Sequence, residues 1–227
     1  MELSARLKAI ASMVPYADTV ADIGCDHGKL AAWLIKNDIA RHVICGDISE
    51  KSLEKAKRLA EAEALKPRIS FRVGSGLSIL AEGEACAAVI TGMGGELIAS
   101  IIAADIAKAP DILVLSSHTS ADMLRGWLTE NGYYADDEEL VAEKGHFYPI
   151  MRFVRGEGPT LSQIERELGP VLLRKKPDAL GLLVRQRIQK ALKIRTELNR
   201  SGSPRRNQLI REIDAKLEEY KEVEKWL

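Results

Sequence analysis

The residues best suited to chemistry lie in one short run, Asp22-Ile23-Gly24-Cys25-Asp26-His27-Gly28. Its glycines let the backbone approach a ligand closely, and a helix beginning just after it would offer unpaired N–H groups. The spacing is DxGxxxG rather than GxGxxG, so the pyrophosphate cradle of a dinucleotide turn is incomplete. Asp47 follows 25 residues after Asp22, at a position where a carboxylate can take both hydroxyls of a ribose. Gly74-Ser75-Gly76-Leu77 supplies a second open turn. Together these residues read as a nucleoside site. The plainer reading is an α/β protein with tight turns and an ordinary nucleotide ligand. His118 and His146 each stand alone on loops and read as polar surface. No histidines or cysteines share a metal-ligand spacing, so no metal is expected.

Such a site requires strand ends gathered along one edge of a sheet. Thr19–Ile23, His42–Asp47, Ile69–Val73, Ala87–Ile90 and Ile112–Leu115 are short apolar, β-prone runs. Helical patterns alternate with them, notably Lys29–Ile35 and a charged helix capped by Ser49 that reaches about Ala64. Buried strands alternating with helices indicate a parallel sheet covered on both faces. Tyr133–Ala142 and Phe147–Val154 read as a closing antiparallel pair. The expected fold class is therefore α/β: a Rossmann-like, mostly parallel, doubly wound sheet ending in a hairpin. Residues 2–14, with Leu3, Leu7, Ile10 and Val14 on one stripe, form an amphipathic helix ahead of it, stopped by Pro15.

The end of the chain has a different character. A long helix opens at Pro177-Asp178, with Leu180, Val184, Ile188, Ala191 and Leu198 on one stripe. Ser201-Gly202-Ser203-Pro204 is a turn, and a second helix carries Leu209, Ile213, Leu217, Tyr220 and Val223. This predicts an antiparallel, coiled-coil-like hairpin. The domain boundaries expected are 1–156 for the sheet and 157–227 for the helical part.

Of the 227 residues, 46% are hydrophobic and 29% charged, which suits a globular protein and excludes a disordered one. The net charge of zero conceals a division. Residues 1–150 carry 15 Lys and Arg against 22 Asp and Glu, whereas residues 171–211 carry 12 against 2. A basic segment of that density suits a polyanion, or else is a solvated helical face. Three cysteines make no complete disulfide framework, and neither a signal peptide nor a membrane-spanning run is seen. A cytoplasmic compartment is expected.

The turn after the first strand, Asp47 and the glycine turn after the third strand together resemble the class I S-adenosylmethionine-dependent methyltransferases. The resemblance implies that Asp22, Gly24, Cys25 and Gly28 surround the methionine moiety of the cofactor. Asp47 would hold the ribose, Ser75, Gly76 and Leu77 would flank the adenine, and Ile48 and Gly92 would complete the cofactor site. A narrower likeness rests on Asp26-His27, Thr91-Gly92-Met93-Gly94-Gly95, Leu124-Arg125-Gly126-Trp127-Leu128, Asn131-Gly132-Tyr133, Glu139-Leu140-Val141, Gly145 and Tyr148. With Leu3-Ser4-Ala5-Arg6-Leu7 and the terminal hairpin, these are similar to the bacterial tRNA methyltransferases that modify N1 of adenine 22 in the D-arm. Met93-Gly94-Gly95 is the most specific piece, because base-amino methyltransferases usually carry an Asn/Asp-Pro-Pro-aromatic turn there.

That resemblance implies methyl transfer from S-adenosylmethionine to adenine N1 of tRNA, leaving S-adenosylhomocysteine, with no metal and no membrane partner. Asp26, His27, Met93, Gly94 and Tyr148 would face the reacting atoms, with Tyr148 stacking on the base. Neutral N1 already carries a lone pair, so the site must position it, exclude water and accommodate the charge that develops on the ring. Asp26 suits that last role; it could equally cap the following helix. The basic hairpin would hold tRNA phosphates, and the protein would act as a monomer. The chain departs from the family at Ser75, where an acidic residue is common, and at Ser116-Ser117-His118, where Gln-Pro-Asn is frequent. These departures keep open another acceptor, whether RNA, small molecule or protein, and a non-catalytic RNA-binding role.

Overall fold

The computed structural model describes residues 2–200 and 205–227. Two compact units divide between Val171 and Leu172. The turn expected at Ser201–Pro204 lies outside the described residues.

The first unit is built on a seven-stranded sheet. Its strands are β1 (Ala17–Ile23), β2 (Ala40–Asp47), β3 (Ile69–Val73), β4 (Ala87–Met93), β5 (Ile112–Ser117), β6 (Tyr133–Glu143) and β7 (His146–Arg155). They lie in the order β3-β2-β1-β4-β5-β7-β6. The first five run parallel, and β7 pairs antiparallel with both β5 and β6. The interior strands are apolar on both faces because both faces are covered. Val20, Val43, Cys45, Val89, Val114 and Ile150 meet α1 (Ala5–Met13), α2 (Lys29–Lys36) and α3 (Glu50–Ala62). Ala21, Ile23, Ile44, Ile90, Leu113 and Leu115 meet α4 (Gly95–Ala104) and α5 (Ala121–Glu130). The expected strands are all present, each a few residues longer or equal in extent.

Local signals fix the helix starts. The Ser4 hydroxyl accepts from the Leu7 N–H, and the Ser49 hydroxyl from Ser52, as N-caps do. Two short helices, α6 (Gln163–Leu168) and α7 (Pro170–Lys175), are additional to those read from the sequence. α6 starts with a capping box between Ser162 and Glu165. Residues 161–171 belong to the first unit because a buried ion pair reaches them. Arg125 Nε donates to Glu138 Oε1 at 2.7 Å, and neither side chain is exposed beyond 1%. The same guanidinium donates to the Arg166 carbonyl at 2.8 Å, and Glu138 Oε2 accepts from the Val171 N–H at 2.9 Å. Satisfying the remaining donors and acceptors in this way is what makes such a pair tolerable in a core.

The second unit is a helical hairpin of α8 (Asp178–Arg200) and α9 (Arg206–Trp226). Its seam contains Leu180, Leu183, Val184, Ile188, Leu217, Tyr220 and Val223. Arg185 Nε donates to Glu224 at 3.2 Å, and Arg195 pairs with Asp214, so the two helices run antiparallel. Lys176 donates to the Trp226 carbonyl at 2.8 Å and sits 4.5 Å from the centre of that indole. No helix among the described residues is long and apolar enough to cross a membrane.

Candidate active site

A cavity of about 520 Å³ opens at the carboxyl ends of the parallel strands, a size that suits a small organic ligand. Its walls come from β1 and the following turn (Asp22–His27), β2 (Gly46–Ile48), the turn after β3 (Gly74–Gly76), β4 (Thr91–Met93) and α1 (Arg6, Leu7). This is where ligands bind in open α/β sheets. Of the fifteen residues expected at the site, Asp22, Gly24, Cys25, Asp26, His27, Asp47, Ile48, Ser75, Gly76, Gly92 and Met93 line it. Leu77 is fully buried beneath it. Gly28 caps α2 in a left-handed conformation and lies against Ala56 of α3. Gly94 caps α4, and Tyr148 stands just outside, on β7.

The turn after β1 is tied to β2. The Gly24 and Cys25 N–H groups both donate to the Gly46 carbonyl, at 2.8 and 3.2 Å. Gly24 has φ +74°, a conformation that strains any side-chain-bearing residue, so this turn requires glycine; a Cβ there would meet only the mobile end of the Met93 side chain, at 2.5 Å. Gly92, at φ +79°, occupies a bulge where the pairing of β4 with β5 slips between Thr91 and Met93. The bulge turns the end of β4 toward the cavity.

Asp22 has the most unusual electrostatics. It is 5% exposed, and its Oδ2 has no hydrogen-bond partner. Burial, reinforced by the Asp47 charge, pushes its pKa up to about 7. A buried carboxylate without a donor calls for a cationic or N–H-bearing ligand. Asp47 is held differently: its Oδ1 accepts from the Ser49 N–H at 2.8 Å and its Oδ2 from the Asp26 N–H at 3.4 Å. Its carboxylate is thereby fixed at the end of β2 and faces the cavity. Ile48 lies beside it, 76% exposed, a large apolar side chain turned to open space. An anionic floor at Asp22, a fixed carboxylate at Asp47 and an apolar shelf at Ile48 fit the ammonium, ribose and base of an aminoacyl-nucleoside cofactor.

Asp26 is not the helix cap, since Gly28 takes that position. Its backbone has φ +47°, uncommon for a side-chain-bearing residue, and its carboxylate pairs with His27 Nδ1. Both side chains are more than half exposed at the cavity rim. Cys25 and Cys45 are buried together beneath the turn, and the Cys25 contact and burial hold the Cys45 thiol well above its usual range. Among the described residues no three His, Cys, Asp or Glu side chains are grouped as a metal site.

Beside this cavity lies a group that sequence reasoning named only in part, through Tyr148 and the Ser116-Ser117-His118 loop expected to face the substrate. Arg6, on α1, lines the wall and places its guanidinium 4.8 Å from the centre of the Tyr148 ring. His118, expected as incidental surface, lies edge-to-face with Tyr148 at 5.7 Å and 84°. His146 is also near that ring, at 6.4 Å.

Strand order and cavity together define a class I S-adenosylmethionine-dependent methyltransferase fold. A methyltransferase-domain family model matches residues 3–151. The Bacillus subtilis tRNA (adenine(22)-N(1))-methyltransferase is 32% identical over 98% of this chain and 97% of its own. The chain therefore belongs to the tRNA (adenine(22)-N1)-methyltransferase family. The crystal structure of the B. subtilis m1A22 tRNA methyltransferase superposes with a TM-score of 0.89 at 30% identity, covering 98% of this chain and 99% of that one. A Streptococcus pneumoniae relative, Sp1610, solved in complex with S-adenosyl-L-methionine, has a TM-score of 0.82 at 29% identity, covering 98% and 100%.

Proposed function

We propose that this protein transfers the methyl group of S-adenosylmethionine to N1 of adenine 22 in the D-arm of tRNA, as a monomer in the cytoplasm. The observation that carries the cofactor half is the unpartnered, buried Asp22 carboxylate facing the same cavity as Asp47. The acceptor half is supported by likeness to a tRNA (adenine(22)-N(1))-methyltransferase along nearly the whole chain.

Asp22 would receive the cofactor's ammonium, with Gly24, Cys25 and Gly28 shaping the turn around its methionine moiety. Asp47 would take the ribose hydroxyls. Ile48, Ser75 and Gly76 would enclose the adenine, with Leu77 buried behind them, and Gly92 would close the wall. When bound, the cofactor supplies an electrophilic methyl: a bond forms between adenine N1 and that carbon as the carbon–sulfur bond breaks, its electron pair staying on sulfur. Positive charge passes to the adenine ring. Asp26, oriented by its pair with His27, would stabilise that charge from the cavity rim. Met93 and Gly94 would hold the acceptor in line, and Tyr148 would stack against a base taken out of its helix.

The test uses purified protein, labelled S-adenosylmethionine and unmodified bulk tRNA, with nucleoside mass spectrometry of the product. 1-Methyladenosine at position 22 is expected. Transfer to a different acceptor, or cofactor binding without transfer, would overturn the acceptor. Asp26→Ala is expected to bind S-adenosylhomocysteine normally and to methylate at least tenfold more slowly, in the range of a lost electrostatic contact. Full-rate methylation by that variant would remove Asp26 from the mechanism.

A further inference from the structure

The carboxyl edge of the sheet presents its chemistry in strand order. Gly74–Gly76, Asp47, Asp22–His27 and Thr91–Met93 end β3, β2, β1 and β4, and all line the cavity. His118 follows β5, and Tyr148 lies near the start of β7, which runs antiparallel beside β5. The row thus continues past the cavity over two further strands. If the cofactor lies over β3 to β4, the acceptor base must approach from β5 and β7.

His118 is well fixed for a loop residue. Its N–H donates to the Met93 carbonyl at 2.9 Å. Its ring meets Tyr148 edge-to-face, with Arg6 against the same tyrosine. Its Nε2 lies 3.9 Å from where a Cβ on Gly92, a residue of the cavity wall, would stand. The side chain is nevertheless exposed and so open to a ligand.

Resting on the functional reading above, we propose that His118 is the residue that recognises the target base, accepting a hydrogen bond at Nε2 from the exocyclic amino group of adenine. N1 must stay free for the methyl, so adenine can be told apart only by its other edge atoms. Its amino group donates where guanine offers a carbonyl acceptor. An imidazole whose Nε2 carries no proton accepts from the former and is set against a second acceptor by the latter. Tyr148 and Arg6 hold the imidazole at that angle.

The experiment pairs an enzyme change with a substrate change. Wild-type and His118→Ala proteins are assayed on tRNA carrying adenine, or purine lacking the amino group, at position 22. The amino group also makes N1 the better nucleophile, so the readout is the change in adenine preference between the two proteins. The preference of wild type in kcat/KM is expected to exceed that of His118→Ala by about tenfold, the worth of one hydrogen bond of about 1.4 kcal/mol, while the variant keeps its melting temperature and S-adenosylhomocysteine affinity. His118→Asn, whose amide oxygen can accept, should restore part of the difference. A His118→Ala protein whose preference equals that of wild type overturns the inference, as does one equally slowed on both substrates. A wild-type protein that binds S-adenosylhomocysteine but methylates no tRNA overturns the functional reading, and this inference with it.

Discussion

Asp22 shows how much a single side chain can record. An acid whose pKa is raised by folding stabilises the protein below its unfolded value near 3.8 and loses that contribution as pH rises through about 7. Above pH 7 the protein without its cofactor therefore carries a cost on the order of 4 kcal/mol at this one position. An ammonium beside the carboxylate favours the ionised form and reverses the preference. S-adenosylhomocysteine binding should thus tighten as pH rises from 5.5 to 7, by up to about tenfold per pH unit, and level off above it. Calorimetry across pH checks this. Asp22→Asn should bind weakly at every pH and, without ligand, melt higher than wild type above pH 7. The turn containing Asp22 was legible because glycine and carboxylate spacing at a strand end has few uses. Arg6 and His118 were not. Each meets Tyr148 from a distant part of the chain, and no local spacing announces such a contact.

At the scale of elements, the segment after β3 matters most to the cofactor site. Arg72 grips Glu84 through two bonds of 2.7 and 2.6 Å and donates to the Ile79 carbonyl at 2.8 Å. Glu84 also accepts from the Ala81 N–H at 2.9 Å. These contacts pin residues 74–84 against the end of β3, with Ile79 packed over Gly46. The Arg72 guanidinium, aided by the Ala81 N–H, pulls the Glu84 pKa down to about 2. Stability from this group is complete above its usual value near 4.5 and is lost as pH falls toward 2. Glu84→Gln should loosen the Ser75–Leu77 turn and weaken S-adenosylhomocysteine binding about fivefold, the effect of roughly 1 kcal/mol. Methylation at saturating cofactor should be unchanged. Strands and long helices were readable here because two- and 3.6-residue periods extend over whole segments. The turn at Gly74–Leu77 was readable from its glycines, but the Arg72–Glu84 pair that pins it was not, since the two residues lie twelve apart with no spacing to announce them; α6 and α7 were not either, because elements this short complete too little of a period to register.

For the whole chain, the charge division is the leading fact. The basic region falls largely on α8 and the start of α9, but part of it is already engaged. Lys176 meets Trp226, Arg185 meets Glu224 and Arg195 meets Asp214 within the hairpin. Arg187, Lys190 and Lys193 are exposed along α8. Changing these three to alanine should weaken tRNA binding and make its salt dependence shallower by roughly two to three in log–log slope. S-adenosylhomocysteine affinity should not move. Filter binding over a salt series measures both. Composition alone identified the basic segment; which cations the hairpin consumes depends on pairing across two helices, and so required the fold.

The Arg125–Glu138 pair also bears on the order in which the chain can be made. Synthesis proceeds from the amino end, and Glu138 cannot receive the Val171 N–H, nor Arg125 reach the Arg166 carbonyl, until those residues leave the ribosome. All seven strands are complete by Arg155, yet closing the core at that moment would bury a charge pair short of these partners. The nascent sheet therefore waits on some fifteen further residues before its last core contacts can form.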